Sequence, residues 1–102
     1  MKEYDIFLPL RYNDGKPIEL RQIHQLQGEL LEEFGGLTYF PQPNQGFWKL
    51  GDVTYRDEIV IYRVLAADAR GSRKFLRMLK ERLKVELEQE EILIVERDVD
   101  AL

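Results

Sequence analysis

The chain contains one histidine and no cysteine, and this restricts its possible chemistry more than any other feature. A thiolate metal site, a disulfide and a cysteine nucleophile are all excluded. His24 could act as a general base or a metal ligand. The residues one helical turn away on either side are Leu20 and Gly28, and neither can ligate a metal through its side chain. There is no His-x-x-x-His or Glu-x-x-His motif, so no metal is expected, and the competing reading of His24 is a partly exposed helix residue. No Ser-His-Asp set, phosphate loop or dinucleotide fingerprint is present, and no cofactor is expected.

Two polar features remain on apolar strands. Asp57-Glu58 is a carboxylate pair, but neighbours on a regular strand point to opposite faces and would not share a site. Arg63 interrupts an apolar strand on the same face as Ile59, Ile61 and Leu65. A cation there needs a carboxylate, an anionic ligand or an edge where it can reach water, and Glu96 on the last strand is one candidate partner. Tyr62 lies beside it on the opposite face.

The uncharged stretch FGGLTYFPQPNQGFW (Phe34 to Trp48) contrasts with the charge-rich remainder. Its Phe34-Gly35-Gly36 follows a helix and leads into a strand. A phosphate loop needs the reverse order, and the helix dipole here has the wrong sign for an anion, so these glycines read as a helix C-cap. Gln45-Gly46-Phe47-Trp48 is the least expected segment. Trp48 could anchor an oligomer interface or core contact, or it could line a small-molecule pocket with Gln45, Tyr39 or Tyr55 orienting the ligand.

These residues are placed by a simple succession of elements. Tyr4 to Tyr12 reads as a first strand, and Asn13 to Pro17 as a turn with Pro17 suited to a first helical turn. From Ile18 the apolar period becomes helical, through Leu20, Ile23, Leu26, Leu30, Leu31 and Phe34. Leu37 to Phe40 is a short strand and Pro41 to Gly46 a loop, since proline cannot sit in a central strand. Gly46–Leu50 and Val53–Arg56 form a hairpin around Gly51-Asp52. Glu58–Ala67 is the strongest strand. A second helix follows, capped by Asp68 or Ser72, with a Phe75, Leu76, Leu79, Leu83, Leu87 stripe. Glu91 to Val99 is the last strand. The order β-α-β-(hairpin)-β-α-β specifies an α+β, ferredoxin-like sandwich over residues 1–102, with both helices on one face of an antiparallel sheet.

In such a fold the sheet face away from the helices should be polar. Here the first, penultimate and last strands carry apolar residues on both faces. A bare apolar sheet would exceed what monomers usually expose. Either the Trp48 hairpin folds across it or a second copy packs on it, and a homodimer is expected.

The length of 102 residues suits one domain, and 44% hydrophobic residues suit a packed core. No apolar run approaches a membrane span or a signal peptide, which points to a cytoplasmic setting. A net charge of -4 argues against nucleic acid as a partner. Arg70, Arg73, Lys74, Arg77, Lys80 and Lys84 do fall at helical spacing on the second helix. However, no stacking aromatics interleave with them and glutamates follow at once, so a solvated face competes with polyanion binding.

The spacing Gly36-x-Thr38, Gln45-Gly46-x-Trp48, then Asp57-Glu58 before an apolar strand resembles a family of small bacterial proteins known only as a domain of unknown function. The similarity runs from about Leu8 to Ala67. It implies a ferredoxin-like fold and an important Trp48 loop, and it brings no reaction. The leading expectation is therefore a homo-oligomeric binding or interaction module. A cofactor-free enzyme of the dimeric α+β-barrel kind, using His24, Trp48, Tyr62 and Arg63 on a small molecule, is the alternative, by fold analogy alone.

Overall fold

A computed structural model describes all 102 residues. The chain forms β1 (Lys2–Pro9), α1 (Leu20–Phe34), β2 (Thr38–Leu50), β3 (Val53–Ala66), α2 (Ala69–Glu86) and β4 (Ile94–Asp98). The four strands make one sheet in the order β2-β3-β1-β4, and every neighbouring pair is antiparallel. The protein is thus α+β, with two helices and a four-stranded antiparallel sheet. No helix is long and apolar enough to cross a membrane.

Strand alternation decides where the core lies. In the β1–β3 register Tyr4 opposes Val64, Ile6 opposes Tyr62 and Leu8 opposes Val60. These six side chains therefore share one face, and all are buried. They form a single cluster with Ile23, Leu26 and Leu30 of α1 and Leu76, Leu79 and Leu83 of α2. Both helices consequently cover the same side of the sheet, as their apolar periodicity requires.

Helix ends follow local chemistry. Asp68 caps α2, its carboxylate accepting from the backbone N–H of Arg70 and Gly71. α1 ends at Gly35, which takes the left-handed conformation at φ 75° and donates its N–H to the Leu31 carbonyl. At the other end α1 starts at Leu20, two residues later than the apolar period suggests. Pro17 is not in its first turn, because Pro17 bridges Arg11 in an isolated antiparallel pair. Ile18 is nevertheless buried, so its apolar signal reports core packing rather than helix.

The second departure from the sequence reading is larger. Pro41 to Gly46 is no loop: β2 runs unbroken from Thr38 to Leu50, with a register irregularity between Phe40 and Asn44. Prolines are tolerated because β2 is an edge strand and the irregularity absorbs their missing donors. β2 and β3 therefore form one long hairpin that turns at Gly51, φ 60°. β1 reaches only as far as Ile59 on β3. Beyond that point the hairpin continues as a two-stranded arm, which contributes to the 42 Å long axis of the molecule.

Two glycines of α1 should respond oppositely to alanine. Gly28 is mid-helix, and an added Cβ meets nothing within 4 Å, so Gly28→Ala is expected to raise stability by about 1 kcal/mol. Gly35→Ala forces a side chain into positive φ and is expected to cost about 1 kcal/mol. Urea unfolding of the two variants checks both signs.

Candidate functional site

The sheet face turned away from the helices is built on the odd-numbered residues of β1 and β3. At its centre stands Asp5, only 3% exposed. The register sets Asp5 opposite Arg63 on β3 and Val95 on β4. Arg63 donates from Nε to Asp5 Oδ1 at 2.8 Å and from Nη2 to Oδ2 at 3.0 Å. Arg97 of β4 donates from Nη1 to Oδ2 at 3.0 Å. The Glu3 carboxylate lies 2.5 Å from Arg63 Nε, and the Phe40 ring of β2 covers the guanidinium at 5.1 Å. Four strands thus meet at one neutral cluster of two carboxylates and two guanidinium groups. The hydrogen bonds from Arg63 outweigh burial and hold the Asp5 carboxyl below its ordinary pKa.

This arrangement corrects the candidate Arg63–Glu96 pair. Glu96 registers with Tyr4, whose face is the helix side. There it accepts from the Tyr4 hydroxyl at 2.7 Å and from Arg73 of α2 at 2.6 and 2.8 Å. Arg73 pulls the Glu96 carboxyl down from 4.5 to about 2, while burial pushes the Tyr4 phenol up to about 12.

Around the ion cluster the face is apolar. Phe7, Ile59, Ile61 and Val95 are half-buried and Leu65 is exposed. The expected apolar second face is therefore present, with Asp5, Glu3 and Arg97 joining Arg63 in a charged centre that the sequence reading did not assemble. Its signal was the alternation Glu3-x-Asp5 in the first strand, which places two acids on one face. Their importance emerges only once Arg63 and Arg97 are known to flank them.

The arm carries this face outward. Trp48 opposes Tyr55 and Leu50 opposes Val53. The Trp48 and Tyr55 rings stack at 4.4 Å and 16°, and Trp48 donates its indole N–H to Asp57 at 2.8 Å. The hairpin does not fold back over the sheet. Trp48 stays 42% exposed, Leu50 57%, Val53 53% and Tyr55 40%. Asp57 and Glu58 serve different neighbours, Trp48 and Arg11, as their opposite directions on the strand demand.

The remaining candidates lie on the helix side. Tyr62 is fully buried, stacks on Tyr39 at 4.7 Å and accepts from Gln27 Nε2 at 2.9 Å. Burial raises its phenol to about 12. His24 is exposed and lines an open groove with Gln27, Gly28, Leu31, Leu37 and Tyr39. Gln45 sits on the arm opposite Glu58. The structure therefore joins Trp48 and Arg63 to one continuous face. It links His24 to Tyr62 only through Gln27 and Tyr39, on the other side of the sheet. No three His, Asp or Glu side chains converge in a metal-binding set.

The fold and this face define a two-layer α+β protein with an ion-centred open sheet and a projecting aromatic arm. Comparison of the chain with family models, curated proteins and solved structures found no match.

Asp5→Asn is expected to lower stability at pH 7 by about 2 kcal/mol, below the full cost of an unpaired buried charge because both arginine heads retain water access. Asp5 has a depressed folded pKa. Its contribution is present above the unfolded value of 3.8 and is lost as pH falls through the folded value. The gap between wild type and Asp5→Asn should therefore narrow below pH 3.8, as read by urea midpoints across an acid series.

Proposed function

We propose that this protein is a ferredoxin-like interaction module that pairs with a second copy through the open sheet face and the β2–β3 arm. The observation that carries this reading is the arm itself. A two-stranded ribbon alone is marginally stable in water. This one exposes Trp48, Leu50, Val53 and Tyr55 on the side continuous with the uncovered sheet. Burying those side chains against another subunit recovers the hydrophobic stabilisation that a free arm forgoes.

Three features favour face-to-face pairing over pairing at the strand edges. The β2 edge is interrupted by Pro41, Pro43 and the register irregularity. The β4 edge is five residues long and ends Glu96-Arg97-Asp98. Both are protected against edge association. The ion cluster on the face is neutral, so two copies can approach without net repulsion. Four strands about 4.8 Å apart, eight residues long at the centre and shorter at the β4 edge, offer roughly 400 Å2; the arm adds roughly 200 Å2, which together is about three-quarters of the ~800 Å2 per partner of a standard interface.

The resemblance of Gly36-x-Thr38, Gln45-Gly46-x-Trp48 and Asp57-Glu58 to the small bacterial family supports the same fold and the same emphasis on the Trp48 segment. A cytoplasmic, homodimeric bacterial protein is the setting this reading implies. The enzymatic alternative calls for an enclosed cavity at Arg63, whereas the Arg63 guanidinium is taken up by Asp5 and Glu3 and covered by Phe40.

Sedimentation velocity from 1 to 100 µM should show a dimer. Trp48→Ala combined with Val53→Ala should weaken dimerisation by about tenfold or more, while Met78→Ala on the exposed ridge of α2 should leave it unchanged. A wild-type monomer throughout that range would overturn the proposal.

A further inference from the structure

The outward ridge of α2 carries an electrostatic arrangement that its own fold does not explain. The first twelve residues of the helix, ARGSRKFLRMLK, contain no acid. Arg73 is held by Glu96, Lys80 by Glu91 and Lys84 by Glu81. The six-cation run of the sequence is therefore divided, and half of it is neutralised. Arg70, Lys74 and Arg77 have no carboxylate partner, although the chain holds more acids than bases. These three are exposed and, with Arg73 and Met78, line an open groove along the helix.

That placement is unfavourable within the free protein. Like charges three and four residues apart on a helix repel, and Arg70–Lys74 and Lys74–Arg77 are such pairs. Cations in the first turns also oppose the positive end of the helix dipole. The helix N-terminus itself is occupied, since Asp68 caps the N–H groups of Arg70 and Gly71. The backbone is thus not the binding element; the side chains are.

We propose that Arg70, Lys74 and Arg77 bind a linear phosphate polyanion, in particular the backbone of single-stranded RNA. The cations span about 10 Å along one helix face, a row that suits a chain of phosphates better than one compact anion. No aromatic lies among them to stack on bases, so binding follows charge and not sequence. The open sheet face and the arm lie on the other side of the sheet, so the ridge stays accessible whether or not two copies pair.

Fluorescence anisotropy with a labelled 20-mer of poly(U), from 20 to 200 mM salt, tests the assignment. Three phosphate contacts on a single strand give a slope of about -2 in log K against log salt. Arg70→Glu with Lys74→Glu should abolish binding and at the same time raise the melting temperature, because it removes the repulsion and suits the helix dipole. Arg21→Glu, an exposed cation on α1, should preserve binding. Inorganic polyphosphate should compete with RNA at the same ridge. The proposal is overturned by absent RNA binding at 20 mM salt, by a salt-independent signal, by equal loss in Arg21→Glu, or by binding to anionic vesicles or polyphosphate alone.

Discussion

Asp5 stands almost without solvent on the central strand, and it remains ionised only because arginines reach it from both neighbouring strands. A lone buried carboxylate would be costly, and a one-residue slip of β3 or β4 would send its arginine to the helix side. The pairings of β1 with β3 and of β1 with β4 are thus held by the same two oxygens. That register also delivers Tyr4, Ile6 and Leu8 to the side where Val60, Tyr62 and Val64 wait, and so produces the surface on which both helices pack. The core and the ion cluster are two faces of one alignment.

The same alignment explains why the hairpin becomes an arm. β1 ends at Pro9, and the chain turns away through Tyr12 to Gly15 before entering α1. β3 extends beyond it with only β2 as a neighbour. The stacked Trp48 and Tyr55 and the Trp48–Asp57 hydrogen bond give this ribbon local order, but they leave its apolar side facing water. A surface of that kind is a poor solution for a monomer and a reasonable one for an interface.

Charge is sorted by direction. The open sheet face balances its acids and bases within a few ångströms. The sides of α2 are tied by ion pairs to β4, to the segment before it and to α1, through Arg73–Glu96, Lys80–Glu91 and Arg82–Glu29. Within α2, only the outward ridge keeps cations without partners, at Arg70, Lys74 and Arg77. An average over the whole chain, which is acidic, conceals this local excess.

Much of this was legible in the residues themselves. Apolar period located both helices, Gly35 marked the end of one, Asp68 or Ser72 the start of the other, with Asp68 the cap that forms, and the two-sided apolar strands announced an uncovered sheet face. Such signals are local: they depend on propensity, capping and alternation within a few residues. Pro41 and Pro43 misled, because proline forbids a central strand but not an edge strand, and edge position is a property of the whole sheet. Arg63 was recognisable as a cation that needed a carboxylate, yet Asp5 rather than Glu96 answered it. That choice rests on cross-strand register between segments 58 residues apart, which no local pattern encodes. Local pattern was enough for both helices, for the strands that carry the core and for a cation at Arg63 in need of compensation. Tertiary structure alone decided which partner, which cations on α2 remained free, and that Trp48 would stand on an arm. Those outcomes follow from which strands become neighbours and from where β1 stops.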